Sequence, residues 1–358
     1  MVRGGSCMGR DPSAIIGLIA AEGYEAFWGV PMSVVVERDV LKEFQRPTWR
    51  SPVQLATTGL GLAAGWILTD RAIAVSWALG AVSSLIIAIF TVRAFIIFHD
   101  CGHGSFTRSR RLNTLVGSVI GVIVFTPYAY WTRAHIRHHA TTGDLDRRGS
   151  GDLWMMTTDE YRAASPGQRL YYRVYHHPMF LMTVGPVIKF VVAQRLRMDP
   201  RLTGRRLRMS VYLTNLAIVG YAVLMSAWMG PSRYIAVQLM VLTFGGIPAV
   251  YLFYVQHFFP GTYWRRHADW DYLEASLASS SRVELPRFLQ WVTGNIGFHH
   301  IHHLAPRIPN YLLPQAQAAC PKLQPGAALT LRSTAMMLRT NLWDEAAGHF
   351  VTFAEAGF

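Results

Sequence analysis

Residues 72–103 read AIAVSWALGAVSSLIIAIFTVRAFIIFHDCGH. The part from Ala72 to Val92 has the length a helix needs to cross hydrocarbon, about 20 residues. Its apolar character continues past Arg93 to Phe98 and ends in His99-Asp100-Cys101-Gly102-His103. Histidines four apart share one face of a helix, so a long apolar helix hands two imidazoles to its own end. Ionisable or metal-binding groups are costly among lipid tails and mark function where they occur. The stretch therefore predicts an all-α integral membrane protein whose chemistry sits where helices leave the bilayer.

The rest of the chain fits that class. Of its 358 residues, 51% are hydrophobic and only 15% charged, which is too apolar for a typical soluble enzyme. Four transmembrane helices are expected, at about 52–69, 72–98, 211–229 and 234–256, forming two hairpins. The first hairpin is expected to turn at Asp70 and Arg71, the second at Gly230–Arg233. Two shorter apolar stretches, Leu112–Trp131 and Met179–Ala193, read as interfacial or re-entrant helices, the second broken by Gly185, Pro186 and Lys189. Residues 1–51 read as an N-terminal arm and 52–358 as one domain. In the arm, the apolar run Ser13–Ala21 is short and followed by Glu22 and Glu25, so the N-terminus is expected to be retained.

The formal net charge is +13, carried mostly by arginine. The turns within the hairpins hold only Arg71 and Arg233, so the positive-inside rule puts the arm, the 93–210 region and the tail beyond 256 in the cytoplasm. Such a face attracts anionic membrane lipids or an acidic protein, and no nucleic acid is expected. Cys7, Cys101 and Cys320 are too scattered for a disulfide framework or a paired-cysteine metal site and read as reduced thiols.

Two further clusters extend the first. His135-Ile136-Arg137-His138-His139 projects three imidazoles from one side of a turn and a half, and His299-His300-Ile301-His302-His303 repeats this through His299, His302 and His303, with His300 turned away. His257, at the end of the fourth span, matches the placement of His99 and His103. These nine candidate ligands among 14 histidines exceed what one metal ion binds, so two metals are implied. Imidazole suits zinc, iron, copper and nickel alike. A bis-histidine haem would leave seven of the nine unexplained. A single crossing between His103 and His135 would separate the first two clusters, so the 112–131 stretch must return to the side it left.

These motifs resemble the membrane fatty acid desaturase family. His99-Asp-Cys-Gly-His103-Gly-Ser-Phe, His135-Ile-Arg-His138-His139 and His299-His-Ile-His302-His303 are similar to its three histidine boxes. The connecting segments 146–154, Gly294-Asn295-Ile296-Gly297-Phe298, Tyr254-Val255-Gln256-His257 and Pro306-Arg307-Ile308-Pro309-Asn310-Tyr311 are similar to the bacterial and plant acyl-lipid branch.

The resemblance implies that the boxes and His257 hold two iron ions in a cytoplasmic helical cap. It further implies that O2 is the co-substrate and that a double bond is introduced into a fatty acyl lipid. Asp100, Asp144, Asp146 and Asp152 are candidate acidic partners of the histidines. In the acyl-CoA branch an asparagine stands where this chain has Phe253, and Asn295 is the candidate replacement near the metal. His176, His177, His267 and His349 match no box and are expected at the surface.

The chain shows no cytochrome b5 module, dinucleotide fingerprint or cysteine set for an iron–sulfur cluster, so a separate, ferredoxin-like electron donor is expected. A di-iron hydroxylase inserting oxygen into an acyl chain is the alternative, because the boxes are shared. A non-enzymatic membrane metal-binding protein is the more distant one.

Overall fold

The computed structural model describes residues 39–196, 199–321, 323 and 328–358. Most of the expected arm, including Cys7 and the run Ser13–Ala21, lies outside the described residues. Its described end packs into the protein: Leu41 and Phe44 are buried against Ile301, Leu304 and Ile308.

Helix α1 (Arg50–Val75) and helix α2 (Trp77–His103) form the first hairpin. At 26 and 27 residues each is about 40 Å long. They run antiparallel in close contact, with Gly61 against Phe90, Gly65 against Ile87 and Gly80 against Ile73. The turn is not at Asp70 and Arg71, as expected, but at Ser76, an extended residue whose side chain accepts from the Leu79 amide. Charged residues end a hydrophobic run without breaking a helix, so Asp70 and Arg71 simply sit in the last turns of α1.

The chain then bends back. Helix α3 (Arg110–Ile123) and helix α4 (Tyr128–Thr141) meet at 103°, within the stretch read as interfacial or re-entrant. Phe125 at the bend has a left-handed φ of 53°, and Pro127 precedes α4. Close approach makes the bend possible. A Cβ on Gly121 would lie 2.6 Å from the Thr126 carbonyl oxygen.

Helix α5 (Pro166–His176) and the segment Phe180–Arg195 form a second bent pair, at 67°. Arg195 ties the two bends together, donating to Asn215 Oδ1 at 3.0 Å and to the Phe125 carbonyl.

The second hairpin is helix α6 (Arg205–Met229) and helix α7 (Pro231–His257). Gly230, with φ 88°, is the one residue between them, and Pro231 starts the return helix. The turn is as tight as expected, although α6 begins six residues before Val211.

Among the described residues, α2, α6 and α7 are long and apolar enough to cross a membrane. The outer faces carry exposed Leu79, Val82, Leu216, Val223 and Leu224, which suits hydrocarbon and not water.

After α7 come helix α8 (Arg287–Val292) and helix α9 (His299–Leu304). The all-α expectation needs one correction. Strands Leu342–Asp344, Met156–Thr157 and His349–Val351 form a small sheet, and Val283–Glu284 pairs with Leu329–Thr330. Strands of two or three residues are too short to leave an alternating pattern.

Substituting Gly121 by alanine is expected to force the α3–α4 bend open and cost about 1–3 kcal/mol. A lowered thermal midpoint of the purified protein in detergent checks this, and an unchanged midpoint refutes the close-contact reading.

Candidate metal centre

The ends of α2 and α7, the second half of α4 and the whole of α9 converge on one place. His99 and His103 arrive from α2, His135, His138 and His139 from α4, His257 from α7, and His299, His302 and His303 from α9. These nine residues fall into two groups, each with its ligand atoms within 4.8 Å of one another. The first is His99, His103, His135, His139 and His302. The second is His138, His257, His299 and His303.

Neither five-residue motif serves a single group. Along α4, His135 and His139 face the first group and His138 the second, while on α9 His302 faces the first and His299 and His303 the second. The rings of His139 and His303 stack across the boundary at 4.1 Å.

The nitrogens have the spacing of ligands around an ion. His135 Nε2 lies 3.0 Å from His99 Nε2 and 3.2 Å from His139 Nε2, and His302 Nε2 lies 3.1 Å from His139 Nε2. In the second group, His299 Nε2 is 3.1 Å from the Nε2 atoms of both His257 and His303. Two imidazoles bound at about 2.1 Å and at right angles would be about 3.0 Å apart. The Nε2 atoms of His103 and His138 are buried with no hydrogen-bond partner, a costly state unless a cation takes up their lone pairs. Burial, and then the neighbouring imidazoles, hold His299, His302 and His303 well below the usual histidine range. They are therefore neutral at physiological pH, the form in which an imidazole can bind a metal.

Contacts at Nδ1 aim several of these lone pairs. His138 Nδ1 pairs with Asp152 Oδ1, whose other oxygen accepts from the Gly149 amide at 2.6 Å. His257 Nδ1 donates to the Ser279 carbonyl at 2.9 Å, and His99 Nδ1 faces Asp100 Oδ1 at 3.4 Å. Of the four aspartates singled out in the sequence, only Asp100 and Asp152 touch the clusters. Asp144 binds His267 Nδ1 at 2.8 Å and Asp146 binds Arg266 at 2.8 Å, so both brace a surface loop.

Asn295 sits in a turn with Gly294, both at left-handed φ, and donates from Nδ2 to the Asn310 carbonyl at 3.2 Å. His300 points away from the clusters, as expected, and bonds Gln317 Oε1 at 2.5 Å. His177, His267 and His349 are exposed as expected. His176 is not: it is buried, with Nε2 on the Trp154 carbonyl at 2.7 Å and its ring against Tyr172. A histidine on the inner face of an amphipathic helix looks the same in sequence as one on the outer face.

Two aromatic residues border the clusters, Phe253, noted in the sequence as a departure from the acyl-CoA branch, and Trp131, which the sequence does not flag. Trp131 stacks on His135 at 4.5 Å, and the Phe253 ring lies 5.3 Å from His138 and 5.2 Å from His257. Trp131 precedes His135 by one helical turn, and Phe253 precedes His257 likewise, a pattern that could have marked Trp131.

Comparison with known proteins agrees with this geometry. Residues 75–335 match the model of the fatty acid desaturase family, a stretch that includes every member of both groups. The chain belongs to the fatty acid desaturase family. It is thus an oxidoreductase related to acyl-lipid desaturases. A fatty acid desaturase of Bacillus subtilis is 40% identical over 309 residues, which cover 86% of this chain and 87% of that protein. An sn-1 acyl-lipid omega-3 desaturase (ferredoxin) of Nostoc is 27% identical over 63% of this chain and 62% of its own length. An sn-1 oleoyl-lipid 12-desaturase of Synechocystis is 27% identical over 62% of each chain.

Purified chain is expected to carry about two metal ions, one for each group. The double substitution His257→Ala/His299→Ala should lower that to about one, while His300→Ala leaves it unchanged. Elemental analysis of the membrane-extracted protein reads both, and equal losses in the two variants would contradict the division into groups.

Proposed function

We propose that this chain introduces a double bond into the acyl chain of a membrane lipid at a pair of irons held by His99, His103, His135, His139 and His302 on one side and His138, His257, His299 and His303 on the other. The convergence of nine imidazoles, eight of them buried, into groups of five and four carries the reading. When bound, the irons supply reduction of O2, with two electrons and two protons, to two waters as two hydrogens leave neighbouring methylenes. The protein's part is to orient, to exclude water and to hold charge. Asp152 and the Ser279 carbonyl keep the Nδ1 protons of His138 and His257 in place, which leaves Nε2 free to bind. Trp131 and Phe253 set apolar walls against the two groups, which suits an acyl chain and shields the oxidant from side reactions.

The topology that supports this has four spans, α1, α2, α6 and α7, with the two bent pairs returning to the side they left. Both termini and a helical cap bearing the histidines then lie in the cytoplasm, at a bacterial cytoplasmic membrane, and 52–358 forms one domain. The match of α1 in length to α2, and the meeting of His103 with His135 at 4.9 Å between ring centroids, favour this arrangement. Electrons come from a separate, acidic, ferredoxin-like carrier attracted to the arginine-rich face. The ferredoxin dependence in the name of the Nostoc relative points the same way.

Gas chromatography with mass spectrometry of lipids from a host expressing the chain, beside a His138→Ala control, tests the reaction. A new double bond absent from the control is expected. A hydroxylated product would replace desaturation with hydroxylation, and no product with a competent donor present would overturn the reading. Turnover with ferredoxin should slow as salt rises through the range that screens surface charge, about 0.05–0.5 M, and salt-insensitive turnover would exclude an electrostatic docking face.

A further inference from the structure

Asp100 is a buried carboxylate with no lysine or arginine against it among the described residues. One of its oxygens faces His99 Nδ1 at 3.4 Å. The other accepts twice from Asn310, from the backbone amide and from side-chain Nδ2, both at 2.8 Å. Asn310 is held in turn by Gln54 of α1. The two side-chain amides pair reciprocally, Gln54 Nε2 to Asn310 Oδ1 and Asn310 Nδ2 to Gln54 Oε1, both at 3.1 Å.

Together with the Asp100 contact, this pairing leaves the Asn310 amide one orientation. Turning its amide over would set Oδ1 against the Asp100 carboxylate and Nδ2 against Gln54 Nε2, losing its three side-chain bonds and adding a repulsion. The surroundings brace the same residue. Asn295 donates to its carbonyl at 3.2 Å, and a Cβ on Gly294 would come 3.0 Å from its Oδ1. On the next residue, the Tyr311 hydroxyl bonds Ser51 Oγ at 2.7 Å and accepts from the Thr48 amide at 2.9 Å.

We infer that Asn310 is a positioning residue for the five-histidine group: locked by Gln54, it fixes the Asp100 carboxylate, which holds the Nδ1 proton of His99 and so aims His99 Nε2 at the metal. The chain of contacts runs from helix α1 to one group alone, since the second group has its own aspartate, Asp152, held by the Gly149 amide. Buried partners of metal-bound histidines are worth 10–100-fold in metal affinity. The effect should therefore fall on one ion of the pair. This inference rests on the proposal that the two histidine groups hold two irons.

The test is chelator competition on the full-length, iron-loaded protein in detergent, with Mössbauer spectra of the loaded samples and the thermal midpoint of the metal-free protein. In Asn310→Ala, one iron per chain should leave at 10–100-fold lower chelator concentration, and one of two iron subspectra should change. Asn310→Asp keeps the shape but replaces the donor with an acceptor facing Asp100, so it should loosen the same ion at least as much as alanine does. Gln54→Leu, one step further out, should loosen that ion by less.

A structural role would give another pattern: Asn310→Asp would recover what alanine loses, or both irons would loosen together as the metal-free midpoint falls. Either result, or unchanged release in both Asn310 variants, overturns the inference and leaves the two-iron reading standing. Fewer than two irons in the unsubstituted chain overturns both.

Discussion

Nine imidazoles whose ring nitrogens crowd one another in the interior set the terms for everything else in this molecule. Without a cation, lone pairs at 3.0–3.2 Å repel or compete for too few protons, and the Nε2 atoms of His103 and His138 have no partner. With two cations, the same spacing is that of neighbouring ligands. Burial works toward the same end, because it keeps His299, His302 and His303 neutral. The fold is the means of delivering ligands from four helices to one place.

That delivery explains the unusual middle of the chain. Between His103 and His135 the polypeptide must leave the site and come back, which the 103° bend at Val124–Pro127 achieves. Backbone polar groups at such a bend are tolerable only where protein covers them. Here the Phe125 carbonyl accepts from Arg195, and the Thr126 amide bonds the Gly121 carbonyl at 2.7 Å. The long hairpins α1–α2 and α6–α7 supply rigid ends at His103 and His257. Arg93, the one charged residue in the apolar part of α2, lies over the Trp291 ring at 4.0 Å and donates to the Trp291 carbonyl, tying α8 to the hairpin.

Much of the site was legible from sequence because metal ligands on helices obey simple periodicity. The spacings in 99–103, 135–139 and 299–303 identify the candidate ligands, and even the outward turn of His300 follows from the helical repeat. Asp100 and Asp152 were among the candidates for the same reason that Asp144 and Asp146 were: all lie near a box along the chain. Only contacts separate them. Gln54 and Asn310 stand 256 positions apart, and neither residue type is unusual where it occurs, although an amide at the start of an apolar run is a small anomaly. The turn at Ser76 and the burial of His176 were missed because charge and residue type report local environment only on average.

The sequence by itself determined the membrane class, the two long hairpins and the identity of the histidines, since hydrophobic length and helical period are local properties. Tertiary structure alone decided how each histidine motif is divided between two groups, which aspartates serve them, and how Asn310 and Gln54 reach Asp100. The physical reason is that metal coordination and buried hydrogen bonding depend on distances of about 2–3 Å between atoms that the chain brings together only after its helices have packed.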